Sequence, residues 1–331
     1  MRLEEAFPDV VGYGSAPRRR IRALRRLVAA AARPGLHPRS PVVLTYWWDG
    51  HPNFGDGLTP WLLPRYGVVP VHRVPGRAEL VGVGSILEHL PATFDGVVWG
   101  SGLMHDHRLS LPHARFLAVR GELTRERTGA PGGTTLGDPG LLVGRVARRP
   151  PVRWTLGVVP HGHHRADRAF LELAERHPRD VRLIDVHADP RPTVREIASC
   201  AAVVTSSLHG LVVADAFGIP AAWTVLEPAL PGGEFKFHDY ETVVSPGRSR
   251  RRRLRPGDTL VDVLARTSTA DPDAVAAATD GLERASAELR DHFAHLSRSP
   301  LAALTRIWGG DASAPVPDEQ ADRAGGHAPH A

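Results

Sequence analysis

The sequence is short of several things. Among its 331 residues there is one cysteine, Cys200, which excludes an internal disulfide framework and any zinc or iron–sulfur site built on thiolates. No uninterrupted apolar run reaches the ~18 residues that a membrane-spanning helix needs. The opening MRLEEAFPDV lacks the basic-then-apolar order of a secretory leader, so a cytoplasmic protein is expected. There is no Gly-x-Ser-x-Gly elbow, P-loop or His-Glu-x-x-His helix, and no repeat of solenoid period. Lysine is nearly missing too: of 41 basic residues only Lys236 is a lysine. What is present, 42% hydrophobic and 23% charged residues, is the composition of a soluble globular enzyme. The length suits two domains of ~150 residues each.

The net charge of +5 is unevenly held. Windows 18–26 and 247–255 carry six arginines each and no acid, and taking those twelve away from +5 leaves the rest of the chain at −7. Neither window interleaves aromatics with its arginines, as a nucleic-acid face does, so no nucleic-acid partner is expected.

Residues 1–40 read as a peripheral basic helix. Ile21, Leu24, Val28 and Ala31 line one face, with Arg18, Arg19, Arg22, Arg25 and Arg26 around it. A βα alternation follows. Strands are expected at 41–48, 68–74, 79–83, 96–100, 116–119 and 134–137, with Thr59 capping a helix that has Pro60 at its first position. RVARRPPVR (145–153) reads as a linker. The second half alternates more regularly: strand 154–159, helix 166–177, strand 181–186, helix 193–200, strand 201–205, helix 208–218, strand 220–226. This pattern implies a parallel sheet covered on both faces. A long amphipathic helix is expected over 273–297, started by Asp271-Pro272, and the composition of the last ~20 residues leads us to expect disorder there. The domains are therefore a 1–40 helix, a 41–150 α/β domain, a 151–246 α/β domain, a 247–310 basic segment with the C-terminal helix, and a 311–331 tail. The expected fold class is α/β, two Rossmann-like domains facing across a cleft.

Ligands of open parallel sheets bind beyond the carboxyl ends of the strands, and the informative residues sit there. Asn53-Phe54-Gly55-Asp56-Gly57 follows the first strand. Its glycines admit a close ligand and Asp56 is placed for proton transfer, although an Asx-type helix cap reads equally well. Thr205-Ser206-Ser207-Leu208-His209-Gly210 opens a helix, where hydroxyls, free N–H groups and an imidazole suit a phosphate or carboxylate. The competing reading is a serine cap and a satisfied histidine. Pro160-His161-Gly162-His163-His164 follows another strand. No second ligand cluster supports a metal, so one of these histidines is expected to touch substrate. Arg120 offers a fixed fork for an anion, or a salt bridge. Asp138 is a substrate contact or a turn residue. Gly82-x-Gly84 and Gly100-x-Gly102 fall short of a dinucleotide fingerprint. Lys236 stands out because an arginine-using chain keeps a lysine where a compact ammonium is needed.

Taken in order, Asn53-Phe54-Gly55-Asp56, Trp99-Gly100-Ser101-Gly102-Leu103, Val119-Arg120-Gly121-Glu122-Leu123-Thr124, Leu136-Gly137-Asp138-Pro139, Pro160-His161 and Ser206-Ser207-Leu208-His209-Gly210 with Gly218-Ile219-Pro220 resemble the polysaccharide pyruvyl transferase family. The resemblance covers about residues 40–245. The Asn-Phe-Gly-Asp segment and Lys236-Phe237-His238-Asp239-Tyr240 resemble its exopolysaccharide branch, which places pyruvate ketals on sugars. One departure is Ser207, where many members carry arginine.

The resemblance implies a fold like the GT-B glycosyltransferases, with phosphoenolpyruvate as co-substrate and no metal or other cofactor. It implies a donor side in 151–246 and an acceptor side in 41–150. Asp56 and His209 are then the catalytic pair, base and proton donor. Asn53, Gly55, Arg120, Asp138, His161, Ser206, Ser207, Gly210 and Lys236 bind substrate. The acceptor is an oligosaccharide or lipid-linked saccharide, and the arginine runs suit peripheral contact with an anionic inner membrane face. A GT-B-type glycosyltransferase using a nucleotide sugar is the alternative.

Overall fold

The computed structural model describes residues 40–296 and Ile21. The helix expected within 1–40, the 18–26 arginine run apart from Ile21, and the 311–331 tail thus lie outside the described residues.

Among the described residues, ten strands form two sheets. The first contains β1 (Val42–Tyr46), β2 (Val69–His72), β3 (Leu80–Val81), β4 (Val97–Trp99), β5 (Arg115–Val119) and β6 (Thr135–Leu136), in the order β2-β1-β3-β4-β5-β6. The second contains β7 (Trp154–Val159), β8 (Val181–Leu183), β9 (Cys200–Thr205) and β10 (Ala221–Trp223), in the order β10-β9-β7-β8. Every pairing between these strands is parallel. Parallel strands need crossovers and cover on both faces, and β3 and β4, all Val, Leu and Trp, are buried throughout.

The helices are α1 (Leu58–Leu62), α2 (Glu122–Thr128), α3 (Val143–Val146), α4 (Arg168–Arg176), α5 (Pro190–Ala198), α6 (Leu208–Ala216), α7 (Phe235–Val244), α8 (Leu260–Ala265) and α9 (Pro272–His292). Helix α6 is mostly apolar and is buried from Leu208 to Asp215. One continuous apolar core includes its Leu211, Val212 and Val213. That core reaches Val43, Leu80 and Trp99 of the first sheet and Val203, Ala221 and Trp223 of the second. Helix α9 is started by Asp271, whose Oδ1 accepts from the N–H groups of Asp273 (3.0 Å) and Ala274 (3.1 Å). It then crosses back onto the first sheet. There Leu282, Ala285 and Leu289 are buried, and Trp99 Nε1 donates to Ser286 Oγ at 3.2 Å.

One local expectation changes. Thr59 does not cap α1, which begins one residue earlier at Leu58 behind Gly57. The Thr59 hydroxyl instead accepts from Val83 N–H at 2.8 Å, tying the helix to the end of β3. The 145–153 stretch is tied to the second half, since the Arg149 guanidinium donates to the carbonyls of Ala198 at the end of α5, Phe217 just after α6 and Cys200 at the start of β9. The 247–255 run is not uniformly solvated. Arg250 is buried, bonded to Asp215 through both terminal nitrogens (2.5 and 2.9 Å) and to Glu241 at 3.3 Å. Arg248, Arg251, Arg253 and Arg255 remain exposed.

Candidate active site

Both sheets reverse their winding once. In the first, the chain runs from β1 outward to β2 and then returns to place β3 on the other side of β1. In the second it runs from β7 to β8 and returns to place β9 on the other side of β7. At such a reversal neighbouring loops leave in opposite directions and open a crevice at the carboxyl ends of the strands. The four loops concerned follow β1, β3, β7 and β9. They, with the loop after β4 and helix α7, line a single cavity of about 110 Å³.

From the first sheet the cavity receives Trp48, His51, Asn53, Asp56, Ser85, Ile86, Glu88, His89, Met104 and His105. From the second half it receives His161, Ser207, Leu208, His209, Pro231 and Lys236. Six of the sequence-derived residues are thereby brought together: Asn53, Asp56, His161, Ser207, His209 and Lys236.

On the first wall the Asn53 amide donates to Asp56 Oδ2 at 2.7 Å while its carbonyl oxygen accepts from Gly55 N–H at 3.1 Å. The carboxylate is thus held in one orientation, and Gly84, at φ +123°, lets the next loop pass beside it. Gly55 does not line the cavity but shapes it: a Cβ there would overlap the His209 ring at Nδ1.

On the second wall the backbone N–H of His163 donates to His161 Nδ1 at 3.3 Å. An acceptor at Nδ1 places the neutral ring's proton on Nε2. Burial, followed by Lys236 and the neighbouring histidines, holds the His161 pKa well below its ordinary value. Ser206 stands behind this wall. Its oxygen accepts from His161 N–H (2.9 Å) and lies 3.0 Å from His164 Nδ1, whose Nε2 is 2.8 Å from the Pro228 carbonyl. That carbonyl only accepts, so His164 carries its proton on Nε2 and the Ser206 hydroxyl donates to Nδ1. Ser207 starts α6 without using its side chain as a cap. Lys236 is buried, with its ammonium 5.9 Å from the Phe237 ring centre. Gly210 lies within α6, packed on Thr205 and Val159 rather than on the cavity.

His209 is buried as well. Burial, then Lys236, then Arg120 depress its pKa to about 3, so the ring is neutral. Its Nε2 faces Asp138 Oδ2 at 3.7 Å, and neither atom has a hydrogen-bond partner. Asp138 is fully buried behind the histidine, outside the cavity lining. Its Oδ1 accepts from Gly140 N–H at 2.8 Å. Burial raises its pKa to about 6, against the lowering effects of the Gly140 N–H and Arg120.

Arg120, which sequence reading assigned to an anion, lies elsewhere. It is fully buried, and Nε donates to Asp239 Oδ2 at 2.9 Å. One terminal nitrogen donates to Ser85 Oγ (2.5 Å) and the other to the Leu103 carbonyl (2.6 Å). Its fork is committed to the protein, as a strut between the end of β5 and α7. It reaches the cavity through Ser85 and, electrostatically, through His209.

Sequence reading passed over Trp48, His51, Ser85, Glu88, His89 and His105. The signal was there: Gly82-x-Gly84 and Gly100-x-Gly102 are the turns that release the loops after β3 and β4. Ser101 Oγ (2.8 Å) and Gly102 N–H (3.0 Å) both donate to the Gly84 carbonyl, stitching these turns together. Among the described residues, no group of three or more His, Cys, Asp or Glu is arranged to hold a metal ion, and no helix is long and apolar enough to cross a membrane.

Comparison with known proteins bears on this cavity. Residues 85–225 match the family model described as polysaccharide pyruvyl transferase. The succinoglycan biosynthesis protein ExoV of Rhizobium meliloti (strain 1021) is 26% identical over 230 residues, covering 66% of this chain and 69% of that protein. The uncharacterized protein L143 of Acanthamoeba polyphaga mimivirus is 30% identical over 166 residues. That match covers 47% of this chain and 58% of the viral protein.

Proposed function

We propose that the chain, which matches the polysaccharide pyruvyl transferase family model over residues 85–225, is an enzyme of that family, and that it moves the carbon skeleton of phosphoenolpyruvate onto a sugar of an exopolysaccharide or cell-surface oligosaccharide as a pyruvate ketal. The observation that carries this reading is the single cavity at both winding reversals, with a carboxylate wall from one sheet and a cationic, N–H-rich wall from the other. The two sheets then correspond to the halves of a GT-B-like fold, donor on the second and acceptor on the first.

Phosphoenolpyruvate brings a carboxylate and a phosphate. The N-terminus of α6 at Ser207, the Nε2–H of His161 and the Lys236 ammonium offer backbone N–H groups, a neutral donor and a charge. An anion bound there raises the pKa of neighbouring His209, which becomes the acid that protonates the methylene carbon. The first sugar hydroxyl attacks the central carbon and gives its proton to Asp56, aimed by Asn53. The carbon–oxygen bond to phosphate breaks, phosphate leaving with the electron pair. The second hydroxyl then closes the ketal. Of the two protons released by the hydroxyls, one replaces that spent on the methyl group and one leaves on phosphate. The exposed arginines of 247–255 suit contact with an anionic inner membrane face, where a lipid-linked acceptor would lie.

Thermal unfolding with phosphoenolpyruvate, pyruvate and a panel of sugar nucleotides tests the donor. At ~100 times its dissociation constant a ligand stabilises by about 2.7 kcal/mol. Stabilisation by phosphoenolpyruvate alone, lost in Lys236→Met, is expected. Stabilisation by a sugar nucleotide instead overturns the reading.

A further inference from the structure

Closing a ketal on one sugar removes protons from two hydroxyls, and Asp56 accounts for one. The first wall holds a second group built to accept the other. Glu88, in the turn after β3, accepts at Oε1 from the backbone N–H groups of Met104 (3.1 Å) and His105 (2.8 Å). Its Oε2 lies 2.9 Å from His105 Nδ1. His107 Nδ1 stands 3.6 Å from Oε1. A carboxylate that already takes two backbone N–H groups is an acceptor, so the proton in the third contact sits on His105 Nδ1. A neutral imidazole with its proton on Nδ1 has its lone pair on Nε2. The Glu88 side chain is 17% exposed and held from three sides, whereas His105 is 43% exposed and lines the cavity. The arrangement is a carboxylate orienting an imidazole whose far nitrogen is basic, the second half of the triad logic. It contrasts with His161 and with His51, whose Nδ1 accepts from Trp48 Nε1–H at 2.8 Å. Those two rings carry their protons on Nε2 and are donors.

We propose that His105 is a second general base, oriented by Glu88 as a positioning residue, and that it takes the proton of the hydroxyl that closes the ketal. This rests on the proposed reaction. The oxygen–hydrogen bond of that hydroxyl breaks as its oxygen bonds to the central carbon, and the proton passes to Nε2. From there it is returned through solvent and replaces either the proton spent by His209 or the one carried off on phosphate. No oxidant or other reactant is needed.

Two measurements test it. The first needs no turnover: nitrogen NMR of histidine-labelled protein, with the His105 signals identified by their loss in His105→Ala. The expected result is the Nδ1–H tautomer in the wild type and its loss in Glu88→Gln. A proton on Nε2 in the neutral wild-type ring overturns the proposal. The second is kinetic. His105→Ala is expected to lower kcat by roughly 10²–10⁴-fold with little change in the KM for phosphoenolpyruvate, and added imidazole to restore part of the loss. A kcat within about twofold of wild type, or a loss confined to KM and untouched by imidazole, overturns the base assignment while the reaction itself stands. A wild-type enzyme that releases no phosphate from phosphoenolpyruvate in the presence of acceptor overturns the reaction and this role together.

Discussion

His209 and Asp138 share one buried space and pull against each other. Burial, with Lys236 and Arg120, lowers the His209 pKa from 6.5 to about 3. In acid the unfolded chain therefore takes that proton first. The His209 contribution to stability is complete above about pH 6.5 and is lost as the pH falls towards 3. Burial raises Asp138 to about 6, so its contribution is complete below about pH 3.9 and is lost as the pH rises through 6. Between pH 4 and 6 the two offset each other. From pH 7 to 5, His209→Gln should lose less stability than wild type, by about 2 kcal/mol, and Asp138→Asn should lose more, by about 1.4 kcal/mol, at ~1.4 kcal/mol per pKa unit. Urea unfolding at the two pH values reads this, and parallel losses in all three proteins would refute the opposed pair. At this scale the sequence was legible where a polar residue lies in the loop or helix start that follows a strand, as Asp56, His161 and His209 do, and the fold brings these three to one cavity. It was not legible for Arg120, because a buried guanidinium and a ligand-binding one have the same neighbours in sequence. Only its distant partner Asp239, 119 residues away, decides between them.

Elements are joined through that same pair. Asp239 of α7 receives Arg120 Nε, Thr124 N–H (2.8 Å) and the Thr124 hydroxyl (2.7 Å). The contact thus clamps α7, from the second half, to the start of α2 in the first. Both charges are fully buried, and removing one leaves the other uncompensated. Asp239→Asn should destabilise by about 3–5 kcal/mol, and the double change Arg120→Met with Asp239→Leu by less than the sum of the singles. Additive effects in chemical denaturation would remove the clamp. The order of elements could be read from alternation of β-branched strands with helical spacing, best in the second half where strands are longer. The two-residue strands β3 and β6 carry too little pattern to bound. Thr59 misled because a threonine before proline fits a cap, and only the folded sheet supplies Val83 N–H as its better partner.

At the scale of the whole molecule, the described residues keep an exposed basic patch after folding. Arg250 is consumed inside, but Arg248, Arg253 and Arg255 stay exposed. Changing these three to glutamine should weaken binding to vesicles containing anionic lipid roughly tenfold or more at low salt, while phosphoenolpyruvate binding is unchanged. Co-sedimentation measures the first and thermal shift the second, and equal vesicle binding by both proteins would end the membrane reading. The composition announced this patch but not the loss of its centre to Asp215, since the sequence does not show which arginine turns inward.

Helix α9 returns from the far end of the described chain to cover the first sheet, and that path has a consequence for birth on the ribosome. About 135 residues separate the end of β6 at Leu136 from Pro272. At about 5–20 residues added per second, the nascent first sheet waits on the order of ten seconds with the surface around Trp99 unsheltered. Apolar surface left open for that interval is aggregation-prone, so slower translation should raise the aggregated share of this protein.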